Sequence, residues 1–118
     1  MDMYFSAKRQ TLTQFMEVYD PQRLHEVHGG STIVFDAMAH QSPQDRYDIV
    51  RFLIDQGAEL TGTNSENETL FHILFSRPKH NMAQTVELTK LLIDAGADIN
   101  QPDAKGRVAL QYLISHPK

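Results

Sequence analysis

Histidines and carboxylates are the side chains through which this sequence could act chemically. The chain has six histidines, 15 acidic residues and no cysteine, so disulfides, thiol catalysis and thiolate metal sites are all excluded. His25 and His28 lie three residues apart and could share a helix face, but Gly29-Gly30 follows at once and no third ligand is near in sequence. We therefore expect solvated surface histidines and predict no metal ion and no cofactor.

Four carboxylates occupy predicted turns: Glu66, Glu68, Asp98 and Asp103. General acid–base catalysis needs a buried carboxyl in a pocket that shifts its pKa, and an exposed turn supplies neither. The sequence contains no phosphate-binding loop, no dinucleotide fingerprint and no nucleophile–base arrangement. These carboxylates are therefore predicted to form a solvated charged rim, and the chain is not expected to be an enzyme.

The composition is that of one ordinary globular domain. Of the 118 residues, 41% are hydrophobic and 22% are charged, which argues against disorder. The net charge of -4 argues against a nucleic-acid partner, which normally leaves a basic footprint. The N-terminus lacks the basic start and apolar core of a signal peptide, and no apolar run approaches membrane-spanning length. We expect a cytoplasmic protein with no membrane partner.

Apolar residues at helical spacing predict an all-α chain, since no segment alternates with a period of two for long enough to form a strand. Gly57 and Gly96 follow two predicted helices at the position where a left-handed residue ends a helix, so both are expected to be helix stops. Residues 1–5 are expected to fray. The helices are predicted at 6–19, 33–40, 46–56, 69–75, 86–95 and 107–115.

Several landmarks recur at one offset along the chain. Gly57 and Gly96 each begin a Gly-Ala-acidic-aliphatic phrase, and they are 39 residues apart (96 − 57). The apolar helices in front of these glycines align at the same offset, and Asn67 and Gly106 both follow the glycines by ten residues. Agreement between independent landmarks indicates a repeat array, in which each unit buries its apolar face by stacking on its neighbours.

The repeated phrase resembles the ankyrin repeat, whose pattern is roughly D-x-x-G-x-T-P-L-H-x-A, a variable link, and E-I-V-x-L-L-L-x-x-G-A-D-V-N. The best match is 64–72, N-S-E-N-E-T-L-F-H, continued by 87–100 with its G-A-D-I-N turn. The resemblance implies an ankyrin-like solenoid of short antiparallel helix pairs with hairpin-like turns. It also implies that Thr69 caps the inner helix and that His72 ties this cap to the neighbouring unit.

The resemblance covers residues 30–115 and implies a single domain over 1–118. In this register the first helix lacks an inner partner and the last helix lacks an outer one, so the array has a half unit at each end. The uncapped C-terminal end predicts either a chain cut from a longer protein or pairing with another chain. The units are 6–29 (an N-terminal half repeat or cap), 30–66, 67–105 and 106–118 (a C-terminal half repeat).

The chain also departs from the ankyrin pattern. Proline is missing after Thr32 and Thr69, and the unit spacings of 37 and 39 residues exceed the usual value of about 33. The extra residues fall in the links at 40–45 and 77–85, and the sequence leaves open whether these links contact a partner. Either a solvated loop or a contact with a phosphate or an acidic peptide is expected for the basic residues of the second link, Arg77, Lys79 and His80.

The expected function is binding of another protein, because ankyrin-like arrays present a rigid concave surface of turns and inner helices. We expect a non-catalytic adaptor or inhibitor, for example one that neutralises a toxin or an enzyme. The alternative is a structural module that forms a homodimer through the uncapped C-terminal end. Phe75 stands where the family has a small residue, so we expect it to be partly exposed toward the concave side. The predicted protein-binding residues are Thr63, Ser65, Glu66, Glu68, Phe75, Asp103, Lys105 and Arg107.

Overall fold

The chain is all-helical over residues 2–114, the part that the computed structural model describes, which confirms the predicted all-α class. A short 3-10 turn, Pro21–Arg23, lies in the loop between the second and third helices. The two longest helices, Pro43–Asp55 and Met82–Asp94, have 13 residues each, whereas a bilayer takes about 20, so no helix of the described chain can cross a membrane. The helices are α1 (Met3–Arg9), α2 (Leu12–Val18), α3 (Ile33–Met38), α4 (Pro43–Asp55), α5 (Leu70–Phe75), α6 (Met82–Asp94) and α7 (Leu110–Ile114).

The helices pack as two rows. In the inner row α1, α3, α5 and α7 follow one another, each against the next, and in the outer row α2, α4 and α6 do the same. An inner helix also packs against the outer helix that follows it, which gives the pairs α1–α2, α3–α4 and α5–α6. The whole measures 37 × 27 × 24 Å, so the pairs form a short stack.

The apolar core fills the space between the rows. The inner helices contribute fully buried side chains such as Ile33 and Leu70, and the outer helices each contribute one face, through residues such as Phe15, Ile49 and Leu88. Because neighbouring pairs share this core, each pair depends on the next one to cover its apolar surface.

The N-terminal segment differs from its prediction, because residues 6–19 belong to two helices instead of one. Gln10 is extended, with φ of -121° and ψ of 178°, so the helix stops there. Thr11 then begins α2 with a capping box: its hydroxyl accepts the Gln14 N–H, while the Gln14 side chain accepts the Thr11 N–H. This Thr-x-x-Gln pattern is a local signal of a helix start, and it overrides the apolar spacing that suggested one continuous helix.

Residues 2–5 are folded as well. Asp2 caps α1 by accepting the N–H of Tyr4, and the side chains of Met3 and Tyr4 are shielded from solvent. The prediction that residues 1–5 fray is therefore wrong for residues 2–5, and the segment 6–29, expected to hold a single unpaired helix, instead takes part in a helix pair. The prediction failed because α1 is stabilised by packing on α3, a long-range contact that local spacing does not reveal.

The predicted helix stops and the predicted inner-helix cap are confirmed. Gly57 and Gly96 end the two long outer helices with φ of +96° and +97°, a region in which a side chain is costly. Thr69 caps α5 through a capping box with His72, and His72 Nε2 lies 2.8 Å from the carbonyl oxygen of Arg107 in the next unit. This contact ties the cap to its neighbour.

Hydrogen bonds from two arginines connect the two long links, residues 40–45 and 77–85. Arg46, which is fully buried, donates from Nε to the His40 carbonyl oxygen at 3.0 Å and from Nη2 to the Lys79 carbonyl oxygen at 3.1 Å. Burial, reinforced by the charge of Arg77, lowers the pKa of Arg46 to about 10, so its guanidinium stays charged at neutral pH. Arg77 donates to the Ala39 carbonyl oxygen at 3.1 Å, so this member of the predicted basic group is a structural tie and not a free contact for a partner.

Candidate protein-binding surface at the turns

Three turns connect successive helix pairs, and two of them hold most of the predicted binding residues. We name them turn A (26–32), turn B (61–69) and turn C (98–109). Turn B carries Thr63, Ser65, Glu66 and Glu68, and turn C carries Asp103, Lys105 and Arg107.

Asp103 organises turn C from the inside. Its Oδ1 accepts the backbone N–H groups of Lys105 and Arg107, both at 2.9 Å, and its Oδ2 accepts the Arg107 Nε–H at 3.2 Å and the Tyr112 hydroxyl at 3.1 Å. Burial alone raises the pKa of Asp103, but these donors outweigh it and bring the pKa down to about 2. Asp103 is buried, so the prediction that it contacts a partner is corrected: its carboxylate is satisfied by the turn that it closes.

Turn B is built in the same way. Asn64 Oδ1 accepts the backbone N–H groups of Glu66 and Glu68, both at 2.9 Å, and its Nδ2 donates to the Glu68 carboxylate at 2.8 Å. Asn64 lies 39 residues before Asp103 (103 − 64), so the turns repeat in their hydrogen bonds as well as in their sequence. The backbone of each turn is held in place while Glu66 and Lys105 remain exposed.

Neighbouring turns contact one another directly. The Ala104 N–H donates to the Glu66 carbonyl oxygen at 3.0 Å, which joins turn C to turn B. Turn A meets turn B at Gly30, where an added Cβ would lie 2.5 Å from the Oγ and 2.9 Å from the Cβ of Ser65. The three turns therefore form one continuous surface, on which Ser65 is still exposed.

Turns B and C enclose a cleft of about 120 Å³. Its lining includes five of the predicted binding residues, whereas Thr63 and Ser65 lie elsewhere on turn B. Small-molecule sites usually have about 300–1,000 Å³, so this cleft suits individual side chains of another protein better than a drug-sized ligand. The lining residues are Glu66, Glu68, Asp103, Ala104, Lys105 and Arg107.

Phe75 is the predicted binding residue that the structure places away from any surface. It is 3% exposed, and its ring centroid lies 6.0 Å from that of Phe71 within the core. The expected partial exposure toward the concave side is therefore wrong. Burying a ring of this size stabilises the fold by about 1.5–3 kcal/mol.

A larger cleft at the N-terminal end was missed from the sequence. It has a volume of about 600 Å³ and lies between α1, turn A and α3. His28 stacks its ring on Tyr4 with centroids 4.1 Å apart, which gives this histidine a role without a metal ion. The cleft could not be found while residues 1–5 were expected to fray. We call it the N-terminal cleft, lined by Asp2, Tyr4, Phe5, Lys8, Arg9, His28, Gly29, Ser31 and Asp36.

Asp36 is a carboxylate of this cleft with a raised pKa. Burial raises its pKa to about 6, and the nearest cation, Lys8, offsets only part of that effect from 3.7 Å. Over residues 2–114, no group of three or more His, Cys, Asp or Glu side chains is placed to hold a metal ion. The chemistry of the N-terminal cleft is therefore that of a polar pocket with both signs of charge.

Comparison with protein families and with curated proteins finds no match for the chain. Among solved structures, it is similar to the crystal structure of a functionally unknown protein from Leptotrichia buccalis C-1013-b, with a TM-score of 0.82 and 28% sequence identity. The match covers 94% of this chain and 62% of that protein, so the chain spans less than two thirds of its length. The likeness agrees with the helical fold and carries no function with it.

Proposed function

We propose that the protein is a non-catalytic protein-binding module with an ankyrin-like solenoid architecture. The architecture is supported by the stacked helix pairs, by turns whose hydrogen bonds repeat at 39 residues, and by the Thr69–His72 cap. In this architecture α1 and α2 form a complete first unit, and α7 is the inner helix of a further one.

The main support for this function is the continuous surface that turns B and C form. Asn64 and Asp103 fix the backbone of the two turns, and the exposed side chains of Glu66, Lys105 and Arg107 stand on this fixed frame. A partner that binds a preordered surface loses less conformational entropy on binding, and charges of both signs discriminate between partners. This supports an adaptor or inhibitor whose partner presents complementary charges.

Self-association is a second candidate function, favoured by apolar side chains near the last described helices. Leu110 on α7 and Ile93 on α6 are 40% and 48% exposed. Apolar side chains left exposed on these two helices are the kind of surface that a second copy would cover. Light scattering separates the candidates, because a monomer at micromolar concentration contradicts self-association.

An affinity pull-down from the native lysate, with mass spectrometry of the eluate, tests the proposed function. The turn variant E66Q/E68Q/K105M/R107M removes two acidic and two basic side chains, so its net charge is unchanged. When Arg107 is replaced, the buried Asp103 keeps two backbone N–H donors and the Tyr112 hydroxyl, so the variant should remain folded. The control variant E17Q/K90M removes one charge of each sign at exposed residues elsewhere, so its net charge is also unchanged.

The wild type and the control variant are expected to capture one dominant stoichiometric partner that the turn variant does not capture. Equal capture by the turn variant would place the binding surface elsewhere. Recovery of the bait alone, together with a dimer in solution, would favour self-association.

A further inference from the structure

The N-terminal cleft is separate from the cleft of turns B and C, and the proposed binding surface does not use it. Its volume of about 600 Å³ falls in the range of about 300–1,000 Å³ that is usual for ligand sites. Its walls come from three elements, α1, turn A and α3, so its shape depends on the packing of α1 on α3.

The carboxylate of Asp36 lies in this cleft and has no close hydrogen-bond donor among the described residues. Its side chain is 15% exposed, and its Oδ1 has Lys8 Nζ at 3.7 Å, near the outer limit of an ion pair. No donor in the described chain lies within hydrogen-bond distance of Oδ2, which is itself shielded from solvent. A carboxylate oxygen left in this way costs free energy, which a ligand that brings N–H donors recovers.

We propose that the N-terminal cleft binds a basic side chain, arginine or lysine, on a segment of the protein's partner. The proposal rests on the protein-binding function and adds a second subsite to it. Asp36 supplies the acceptor, and Asp2 adds a second negative charge to a lining that also carries the positive charges of Lys8 and Arg9. Phe5, which is 49% exposed, provides an apolar surface for the aliphatic stem of the incoming side chain.

Lys8 is the internal competitor of this ligand. It is the nearest cation to Asp36, but its side chain is 46% exposed and holds the carboxylate through one long contact. A long flexible side chain of this kind can withdraw into solvent when a better placed cation arrives. The proposal therefore predicts opposite effects for two substitutions, since removing Asp36 weakens binding and removing Lys8 strengthens it.

The test is an NMR titration of the 15N-labelled protein with the peptide Ac-Gly-Arg-Gly-NH2. The matched control peptide carries citrulline, which has the shape of arginine without its charge. We expect the arginine peptide to shift amide signals of residues 28–31 and 33–38, and citrulline to bind about tenfold more weakly. D36N should weaken arginine binding about tenfold, K8M should strengthen it several-fold, and D94N, at an exposed carboxylate on α6, should leave it unchanged.

Several results would overturn the proposal. They are equal shifts with the citrulline peptide, weaker binding by K8M, shifts confined to turns B and C, or no shift at about 10 mM peptide. The pull-down with the turn variant reports on a different surface. Arginine binding without a captured partner would contradict the proposed function alone, and a captured partner without arginine binding would contradict this subsite alone.

Discussion

At the scale of single residues, two carboxylates shielded from solvent have opposite ionisation behaviour. Asp103 receives two backbone N–H groups and a tyrosine hydroxyl, and its pKa falls to about 2. Asp36 has one distant lysine, and its pKa rises to about 6. The difference lies in the number of donors, since both carboxylates are removed from water. Asp103 therefore stabilises the fold in its charged form, whereas the charge of Asp36 opposes folding.

Replacing Asp103 with alanine is expected to lower the free energy of unfolding at pH 7 by on the order of 2 kcal/mol, because two backbone N–H groups of turn C, the Arg107 Nε–H and the Tyr112 hydroxyl lose their acceptor. The folded pKa of about 2 lies below the ordinary 3.8, so this stabilisation is present above about pH 4 and is lost as the pH falls toward 2. Urea unfolding at pH 7, 4 and 2.5 measures it. D103N keeps an acceptor oxygen and should cost less than D103A; equal costs would contradict the structure of turn C.

Replacing Asp36 with asparagine is expected to stabilise the protein at pH 7. The folded pKa of about 6 lies above the ordinary 3.8, so the cost of the carboxylate is fully present above about pH 6 and is relieved as the pH falls toward 4. The gain at pH 7 should be on the order of 1–2 kcal/mol and should shrink as the pH falls from about 6 to about 4. Unfolding of D36N and of the control D94N across this range checks the sign. A D36N protein less stable than wild type at pH 7 would show that Asp36 is well paired.

At the scale of elements, the predictable parts are those that local chemistry decides. The stops at Gly57 and Gly96 and the cap at Thr69 follow from backbone conformation and from the first hydrogen bonds of a helix. The first helix pair was not predicted because α1 depends on contacts with α3, although the Thr11-x-x-Gln14 capping box was visible in the sequence. The N-terminal cleft was missed for the same reason, since its walls meet only when that pair is folded.

The contact between turns A and B gives a test at this scale. Gly30 has φ of +92°, and a Cβ there would lie 2.9 Å from the Cβ of Ser65, so G30A is expected to destabilise by about 1–3 kcal/mol. Gly29 has φ of +63° with nothing close to it, so G29A should cost about 1 kcal/mol from the backbone alone. Thermal unfolding compares the two, and S65G should recover part of the loss in G30A. Equal costs for both glycines would mean that turns A and B do not pack closely.

At the scale of the whole molecule, the sequence predicted the all-helical class and much of the surface of turns B and C, but not which residues of that surface are free. Glu66, Glu68, Lys105 and Arg107 line one cleft, as their spacing in repeated turns suggested. Asp103 and Phe75 were misjudged because exposure depends on what neighbouring turns and helices cover. The sequence pattern predicts where a residue lies within a repeated turn or helix, whereas tertiary packing decides whether its side chain is buried.

The dissociation constant of the captured partner, measured by isothermal titration calorimetry for the wild type, the turn variant and the control variant, tests the central claim most directly. If turns B and C form the binding surface, the turn variant should bind about tenfold or more weakly, while the control variant matches the wild type. Dissociation constants within about twofold for all three proteins would contradict binding through these turns.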